Sequence, residues 1–358
     1  MRQEVEPYCV PPTATVRDVI LCIDRNGKGI ALVTDAEGRL FGTLTDGDVR
    51  RAILAGLQAD DPVSALLARK VGSDYPRPVT APAGSDREML LRIMREHVIR
   101  QVPLLDTEGR VSELVVIDQW VPVPTLPLQA VIMAGGYGDR LRPLTDDVPK
   151  SMLPVGDRPL LERMIEQLRQ SGIRRVHVAT HYRSDQIVRH FRDGKDFGVE
   201  ISYTTEREPM GTAGALGMVP VSDEPLLVIN GDILTRVDFR AMLEYHREHR
   251  AELTVGICQY GLKVPYGVVE CEGALVRRIR EKPQLQFLVN AGIYLLQPAA
   301  ARRVPGGDRY DMTELIQGLL DEGSRIASFP IVEYWLDVGN PDAYRRAQED
   351  VRSGRLSR

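Results

Sequence analysis

The sequence predicts an α/β protein: a mostly parallel sheet covered by helices on both faces, preceded by a small α/β unit that occurs twice. From Ala130 onward, apolar runs of strand length alternate with segments of helical periodicity, an order typical of parallel sheets. In residues 11–120, the D-x-E-G-R turn at 35–39 recurs at 106–110, an offset of 71 residues, with an apolar run on each side of both copies. A turn between two short strands indicates a hairpin. The chain is therefore expected to hold a repeat module followed by a larger α/β domain.

Composition narrows the class of protein. A chain of 358 residues with 43% apolar residues has room for two or three domains with full cores. The net charge of −4 with 27% charged residues argues against nucleic acid as the main partner. The four cysteines lack C-x-x-C spacing, so neither a disulfide framework nor a zinc site is indicated. No apolar run reaches the ~18 residues that a membrane span needs, and no signal-type segment opens the chain, so we expect a cytoplasmic protein without membrane contact.

Each copy of the repeat has the same predicted order of elements. Thr13 or Thr15 can cap a helix in the first copy, and Ser85 or Asp86 can cap one in the second. The predicted order is helix, strand, hairpin turn, strand, helix.

This repeat, with copies at about 11–68 and 74–120, resembles a tandem pair of CBS modules, βαββα units that bind adenosine nucleotides between paired copies. GTLTDGDVRR in the first copy resembles the G-x-x-[ST]-x-x-D element of that family, with Thr45 and Asp48 at the polar positions. The equivalent positions of the second copy are Glu113, Val116 and Gln119. The resemblance implies at most one adenosine nucleotide site, at Thr45 and Asp48. On the residues alone, both could instead be a helix cap, and the pair could serve only to assemble a homo-oligomer.

A proline-rich segment marks the domain boundary. WVPVPTLPL, which begins at Trp120, has three prolines in nine residues, and such spacing favours an extended, stiff connector. We assign 121–128 to this linker and 129–352 to the larger domain.

A glycine loop follows the first strand of the larger domain. Val131 to Ala134 indicate a buried strand that leads into Gly135, Gly136 and Gly138. Three residues without Cβ can bring backbone N–H groups close to an anion. Leu141 stands where the dinucleotide motif G-x-G-x-x-G would need glycine.

Three cations follow within a dozen residues: Arg140, Arg142 and Lys150. Guanidinium and ammonium groups together suit a polyphosphate, and a triphosphate fits better than a dinucleotide. The glycines by themselves are equally compatible with a tight turn beside solvated basic residues.

The stretch from Gly135 to Lys150 resembles the signature of the sugar-1-phosphate nucleotidylyltransferases, GGxGTRLxPLT followed by PKP. This resemblance implies a Rossmann-like sheet of the nucleotide-diphospho-sugar transferase type, with Arg140 and Lys150 as catalytic contacts to the triphosphate. Two residues depart from the signature: Asp139 replaces Thr or Ser, and Ser151 replaces Pro. The added carboxylate is expected to repel phosphates unless it faces a metal or Arg142.

Two aspartates are candidate metal ligands. Asp232 follows the buried strand predicted at 225–230, and Asp337 follows an apolar and aromatic run. Carboxylate oxygens suit Mg²⁺, although a lone aspartate after a strand is usually a turn residue. The family resemblance implies that these two coordinate the catalytic Mg²⁺. By contrast, His246 and His249 lie in EYHREHR, whose charges predict a solvated helix face rather than a metal site.

The segment TEREPMGTAGALG is the candidate base site. Gly211 and Thr212 would let a planar ring approach the backbone, and Glu206 can accept hydrogen bonds from ring N–H groups. The segment resembles E-x-E-P-L-G-T-A-G of mannose-1-phosphate guanylyltransferases, which implies GTP as the nucleotide. The alternative is a glycine-rich helix start that packs closely on the sheet.

The candidate sugar-phosphate site lies between the two aspartates, at Gly267 in VPYGVVE and at Glu281, Lys282 and Asn290 in REKPQLQFLVNAGIYLL. The resemblance implies that Lys282 contacts the phosphate and that the other three contact the sugar. A surface Glu–Lys turn is the alternative on the residues alone.

Together the motifs imply a transferase that converts an NTP and a sugar 1-phosphate into an NDP-sugar and pyrophosphate. The order of CBS pair and guanylyltransferase-like domain resembles enzymes of legionaminic acid pathways, which implies GDP-glucosamine as the product. Mannose 1-phosphate, a heptose 1-phosphate, and uridylyl or thymidylyl transfer remain alternatives. A nucleotide-sensing regulatory protein with weak catalysis is the alternative from another class.

Overall fold

The computed structural model describes residues 5–72, 75–117, 120 and 125–356. The helices are α1 Val16–Asn26, α2 Asp46–Leu54, α3 Val63–Lys70, α4 Arg87–Glu96, α5 Leu160–Gln170, α6 Ser184–Phe191, α7 Phe239–Glu248, α8 Pro298–Ala301, α9 Met312–Asp321 and α10 Pro341–Arg352. The strands of the N-terminal module are β1 Cys9–Val10, β2 Ile30–Thr34, β3 Leu40–Thr45, β4 Ala81–Pro82, β5 Gln101–Leu105 and β6 Val111–Val116. The remaining strands are β7 Gln129–Met133, β8 Pro154–Val155, β9 Arg158–Pro159, β10 Arg175–Thr180, β11 Glu200–Thr205, β12 Leu226–Asn230, β13 Ile233–Thr235, β14 Leu253–Lys263, β15 Val268–Glu272, β16 Leu275–Arg280, β17 Gln284–Leu296, β18 Ile326–Pro330 and β19 Trp335–Asp337.

The N-terminal module has the predicted internal repeat. Each copy forms a three-stranded sheet, β1-β2-β3 and β4-β5-β6, with one parallel and one antiparallel pair. The two hairpin turns contact each other. Arg39 and Arg110 form an isolated antiparallel β-bridge, and the amide of Val111 donates to the carbonyl of Gly38. The copies also share a small apolar core that includes Leu32 and Val116. They therefore fold as one unit rather than as two independent lobes.

Local capping sets the start of both copies' first helices. The Thr15 side chain and Asp18 form a reciprocal capping box at α1, and the Asp86 side chain accepts from the Met89 amide at α4. Each of these bonds satisfies an otherwise free amide of the first turn. Of the two capping residues predicted in each copy, the second is the one used.

The larger domain is built on a seven-stranded sheet in the order β11-β10-β7-β12-β17-β14-β18. Four of its neighbouring pairs are parallel and two, both involving β17, are antiparallel. The prediction of a mostly parallel sheet is confirmed. Because β10, β7 and β12 run in the same direction, the loops after them lie along one edge, where ligands collect in such sheets.

Helices cover both faces of this sheet. One apolar core contains residues of α5, α6 and α7, and the other contains residues of α8 and α9. Leu126 and Leu128 are buried in the first core, so the second half of the proline-rich segment packs with this domain. Residues 121–124 of the predicted linker lie outside the described residues.

The solvated-face interpretation of EYHREHR is wrong for His246. Its ring is fully buried, with Nδ1 at 2.8 Å from the Thr254 hydroxyl and Nε2 at 2.8 Å from the Gln297 amide. Burial lowers the pKa of His246 to about 4. His246 therefore links α7 to the sheet. The charged residues beside it on α7 led to the wrong prediction of a solvated ring.

A long antiparallel ribbon projects from the sheet. Strands β14 and β17 pair along most of their length, and the β15–β16 hairpin lies between them in the sequence. This projection, residues 258–289, is here called the acceptor arm. Within the described ranges, no helix combines the length and apolar character that crossing a bilayer requires.

Candidate active site

The glycine loop lies at the centre of the sheet's ligand-binding edge, directly after β7. Gly138 has a positive φ of 73°. A Cβ there would lie 2.9 Å from the Thr145 side chain and 3.1 Å from Cβ of Lys150, and the Thr145 hydroxyl donates to the Gly138 carbonyl. Glycine is therefore required here by conformation and by close packing. This packing holds the glycine loop against the segment that carries Lys150.

Glu206 lies directly against the glycine loop. It follows β11, is 6% exposed, and accepts the Met210 amide on Oε2 at 3.0 Å. A Cβ on Gly135 would come within 2.9 Å of its Oε1, whereas a Cβ on Gly136 would meet nothing within 4 Å. Burial raises the pKa of Glu206. The structure thus brings the predicted base residue to the predicted phosphate loop.

His181, which belongs to none of the sequence motifs, joins the same two segments. His181 Nε2 lies 2.8 Å from the Tyr137 hydroxyl, and its Nδ1 lies 2.9 Å from the Glu206 carbonyl oxygen. Tyr137 belongs to the glycine loop, so His181 ties that loop to the strand end that carries Glu206. Nothing in the local sequence around His181 indicates this contact, since its partners are distant along the chain.

The added carboxylate in the glycine loop is neutralised locally. Asp139 pairs with the Arg142 guanidinium at 2.8 Å, which is one of the two arrangements expected to relieve repulsion of phosphates. Arg140 is exposed and forms no ion pair with the described residues. Ser151, the second departure from the signature, is 2% exposed and its hydroxyl has no partner among them.

The two candidate metal ligands lie side by side. Asp232 directly precedes β13, Asp337 ends β19, and these two short strands form an antiparallel ribbon in which Ile233 pairs with Asp337. The Val338 amide donates to the Asp232 carbonyl at 2.9 Å. Partial burial, together with the charge of Asp232, raises the pKa of Asp337. Oxygen donors that repel each other at close range are the donor set that a divalent cation stabilises.

Lys150 is the cation at this position in the structure. Its Nζ lies 2.5 Å from Asp232 Oδ2, and its side chain is only 13% exposed. The ammonium therefore balances one of the two carboxylates. In the described part of the chain, no cluster of three or more His, Cys, Asp or Glu side chains suits a metal, so any ion here would complete its shell with substrate oxygens or water.

Gly211 and Thr212 make packing contacts with the start of α9. Gly211 has φ 78°, and a Cβ there would lie 2.6 Å from Asp311 Oδ1 and 2.8 Å from the Tyr310 carbonyl. The Thr212 hydroxyl accepts from the Met312 amide, and its backbone amide donates to Asp311. Both residues pack closely against the start of α9 rather than on the sheet, and a contact of these two residues with the nucleotide stays a prediction.

The acceptor arm carries three of the four predicted sugar-phosphate residues, and Asn290 follows its last residue on β17. Lys282 is exposed, 4.0 Å from Glu281, and has φ 42°, and a Cβ on Gly267 would lie 3.2 Å from Glu281 Oε2. Asn290 lies apart from them, donating to the Tyr294 hydroxyl at 2.8 Å. Across the described residues, no hydrogen bond or ion pair joins Lys282 to the two aspartates. The roles of all four residues in sugar binding remain predictions.

Thr45 and Asp48 of the N-terminal module form a helix cap. They make a reciprocal capping box at α2, and Asp48 Oδ2 also accepts from the buried Lys70 ammonium at 2.7 Å. Burial opposes ionisation of Asp48, but Lys70 and the Thr45 hydrogen bonds outweigh it and lower the pKa. The polar groups of this motif are thus engaged inside the module, and their contact with a nucleotide stays a prediction.

Comparison with known proteins assigns the larger domain. A family model described as "Nucleotidyl transferase" matches residues 129–354, more than half of the chain. The chain belongs to the nucleotidyl transferase family. A CBS domain model matches residues 1–55. These matches confirm the resemblance drawn from the glycine loop and from the first copy of the repeat.

Relatives of this nucleotidyl transferase include sugar nucleotide enzymes. The catalytic subunit beta of mannose-1-phosphate guanylyltransferase from Danio rerio is 34% identical over 60% of this chain and 62% of that protein. Mannose-1-phosphate guanylyltransferase from Mycobacterium tuberculosis is 31% identical over 64% of this chain and 66% of that protein. The chain thus spans less than two thirds of the length of these relatives. Among solved structures, HddC from Yersinia pseudotuberculosis complexed with GMP-PN shares 25% identity, with a TM-score of 0.50 over 62% of this chain and 99% of that one.

Proposed function

We propose that this nucleotidyl transferase is a sugar-1-phosphate guanylyltransferase that makes a GDP-sugar and pyrophosphate from GTP and a hexose or hexosamine 1-phosphate. The observation that carries the proposal is the pairing of Asp232 and Asp337 on one ribbon beside Lys150 and the glycine loop. Two carboxylates, a lysine ammonium and a glycine loop at one sheet edge match the needs of nucleotidyl transfer, in which charge neutralisation and alignment supply most of the catalysis.

The acceptor phosphate is itself the nucleophile and is ionised at neutral pH, so the chain need not supply a general base. Gly135, Gly136 and Gly138 hold the triphosphate through backbone N–H groups. Arg140 and Lys150 stabilise the charge that develops on the departing pyrophosphate. For Lys150 this requires that its ammonium leave Asp232, from which it is now 2.5 Å distant.

The oxygen donors of Asp232 and Asp337 fit Mg²⁺, which would neutralise phosphate oxygens between donor and acceptor when bound. Lys282 of the acceptor arm aligns the sugar phosphate, and Glu281 with Asn290 and the Gly267 backbone orient the sugar.

Guanine is proposed as the base for two reasons. Glu206 offers a buried carboxylate at the glycine loop, and guanine presents two adjacent N–H donors that one carboxylate can accept. The relatives named above as guanylyltransferases point in the same direction. We propose that Gly211 and Thr212 hold the loop beneath the base.

The finer parts of the proposal concern the sugar and the N-terminal module. Glucosamine 1-phosphate, which gives GDP-glucosamine, is our first candidate acceptor because of the CBS pair ahead of the transferase domain. Mannose 1-phosphate is the second candidate because it appears in the names of the relatives. An adenosine nucleotide at the CBS pair is the proposed regulator, in a cytoplasmic homo-oligomer.

Pyrophosphate release tests the activity. The purified chain is assayed with each of four NTPs against glucosamine, mannose, glucose and heptose 1-phosphates, with Asp232→Asn and Asp337→Asn as site controls. Release with GTP and one acceptor, lost in both variants, is expected. Nucleotide binding without release for any pair would instead support a nucleotide-sensing regulatory protein. A thermal shift of the full chain with AMP, ATP and GTP tests the regulator, because a ligand that binds the folded state raises its stability.

A further inference from the structure

One buried arginine joins the N-terminal module to the transferase domain. Arg50, on α2, has a side chain that is 2% exposed. Its guanidinium pairs with Glu333 at 2.8 Å and Asp46 at 3.1 Å, donates to the Pro330 carbonyl, and stacks over the Phe329 ring at 3.9 Å from its centre. Glu333, Pro330 and Phe329 all belong to the transferase domain. A fully desolvated arginine with this many partners fixes the relative position of the elements it contacts.

Glu333 connects Arg50 to two segments of the transferase domain. Its Oε1 accepts the Asp238 amide at 3.0 Å as well as the Arg50 guanidinium, and its Oε2 accepts the Val332 amide at 3.1 Å. Asp238 caps α7 and follows β13 by three residues, and Glu333 precedes β19 by two. The Glu333 carboxylate therefore holds together the chain leaving β13 and the chain entering β19.

These two strands form the ribbon that carries the candidate metal ligands at its other end. Three residue pairs span the ribbon, from Thr235 opposite Trp335 to Ile233 opposite Asp337, so its two ends are about 7 Å apart at ~3.3 Å per residue. The Tyr334 carbonyl accepts from both the Thr235 hydroxyl and the Arg236 amide, which closes the end nearer Glu333. The ribbon is thus short, and two hydrogen bonds to the Tyr334 carbonyl close one end of it. Arg50 of the N-terminal module contacts this end through Glu333.

A cavity of about 1020 Å³ opens onto the same end of the ribbon. Its lining combines residues of the N-terminal module with residues of the transferase domain. Asp46, Arg50, Thr235, Asp238 and Glu333 all contribute to it. One Asp46 carboxylate oxygen and Nε of Arg50 are buried there without a hydrogen-bond partner among the described residues. A ligand in this cavity would meet the arginine and its partners directly.

We propose that Arg50 is a positioning residue: through Glu333 it sets the separation of Asp232 and Asp337, so that the N-terminal module controls the affinity of the transferase site for its divalent cation. This inference rests on the proposed function, since it takes the two aspartates as the cation site. A ligand that changes the contact of Arg50 with Glu333 changes cation affinity in the same way. The cavity is therefore the place where an occupant of the N-terminal module acts on catalysis.

The test measures cation binding without turnover. Trp335 lies on β19, two residues before Asp337, and the chain has two tryptophans, so a Trp120→Phe background leaves Trp335 as the sole fluorophore of its kind. Mn²⁺, a paramagnetic quencher with the oxygen preference of Mg²⁺, is titrated against its emission. The baseline is the Mn²⁺ affinity of the Trp120→Phe background. Asp337→Asn is expected to abolish this binding.

Into this background we place Arg50→Met, Arg50→Lys, Glu333→Gln and the Arg50→Met, Glu333→Gln pair. Arg50→Met and Glu333→Gln are each expected to weaken Mn²⁺ binding about 5-fold or more, the lower range of coupling between sites. The double variant should bind Mn²⁺ no more weakly than the weaker-binding single variant, because both substitutions break the same contact between Arg50 and Glu333. Arg50→Lys should recover part of the affinity.

Lys70→Met is the matched control. Lys70 forms an equally buried ion pair with Asp48 inside the N-terminal module, so this change destabilises the module without touching the ribbon. Its Mn²⁺ affinity is expected to stay within about 2-fold of the background, since distant sites are independent. A similar loss in Lys70→Met would show that affinity follows module stability, and would overturn the proposal.

Unchanged affinity in a folded Arg50→Met or Glu333→Gln variant would overturn the proposal while leaving the proposed function intact. If Arg50→Met does not fold, Glu333→Gln decides, because it keeps the side-chain volume and its one carbonyl oxygen can still accept one of the two backbone amides. Failure of the unmutated chain to bind Mn²⁺ would overturn the inference together with the cation site on which it rests.

Discussion

Replacing Gly135 with alanine tests the contact between the glycine loop and Glu206. Gly135 does not need a positive φ, so alanine costs no backbone strain and acts only through its Cβ. That atom would lie 2.9 Å from Glu206 Oε1, too close for a carbon and an oxygen in contact, and the carboxylate must move away. Because its other oxygen accepts the Met210 amide at 3.0 Å, the movement weakens a buried charged hydrogen bond worth about 1.5–3 kcal/mol.

If the Glu206 carboxylate accepts hydrogen bonds from guanine, its displacement reduces the selectivity for that base. GTP and ITP differ by the guanine 2-amino group, so the ratio of their kcat/KM values reports the carboxylate contact. We expect Gly135→Ala to reduce this ratio about 10-fold or more, the equivalent of one charged hydrogen bond, and to lower the Tm. Gly136→Ala is the matched control, since its Cβ meets nothing within 4 Å: it can lower the rate with both nucleotides through the phosphate loop but should leave the ratio unchanged. Equal ratios in the two variants would refute the assignment of Glu206 to the base.

Three further predictions concern catalysis and stability. Lys150→Ala and Asp232→Asn should each lower kcat by roughly 10² or more in the pyrophosphate-release assay, as loss of one preorganised electrostatic contact does; near-full activity would remove the assignment. The pKa of His246, lowered to about 4 by burial, lies below the ~6.5 of the unfolded chain, so only the unfolded state takes up a proton between these values and stability is lost as pH falls from ~6.5 to ~4. His246→Gln should remove up to about 3 kcal/mol of this loss, measured by denaturant unfolding at pH 7 and pH 4.5, and an unchanged pH dependence would contradict the burial of a neutral ring. Gly211→Ala should lower the Tm by several degrees, since its Cβ would meet Asp311 Oδ1 at 2.6 Å; a Tm equal to that of the unmutated chain would contradict the close packing.

Elements with local signals were predicted well. The sequence predicts a strand over Arg175–Thr180 and a helix over Ser184–Phe191, and both have these bounds in the structure, because apolar periodicity and flanking turn residues determine each within one short window. The strand after Pro225 and the capped helix after Thr15 follow the same logic. The glycine loop after β7 and Asp232 after β12 lie along the same sheet edge because these strands are parallel neighbours, while the roles of the predicted site residues stay predictions.

Contacts between distant residues were not predictable from the sequence. Arg50 and Glu333 are separated by 283 positions, and VRR within a capped helix indicates a solvent-facing arginine as readily as a buried one. His246 was misassigned for a related reason: its neighbours are charged, and only the partner at Thr254 on a different element shows that the ring points inward. In both cases the deciding partner lies on an element whose position depends on the whole fold.

A local ion pair also changes the charge expected at the glycine loop. The sequence offers three cations there, enough by themselves to attract a triphosphate. In the structure Arg142 is paired with Asp139, the residue that departs from the family signature, so the added carboxylate and one cation cancel each other. The departure therefore removes a positive charge from the loop without placing an unpaired negative charge beside the phosphates.

The same cancellation holds deeper in the site. Lys150 neutralises Asp232, and Asp337 is offset only by the longer-range charges of Lys150 and exposed Arg140. Two carboxylates and two cations leave this part of the site close to neutral, so a triphosphate that arrives alone gains little electrostatic attraction. On the proposed function, Asp232 and Asp337 would hold a divalent cation that arrives with the triphosphate, and the Lys150 ammonium would then be free for the phosphates. If the proposed function holds, this charge balance favours entry of the nucleotide as its cation complex.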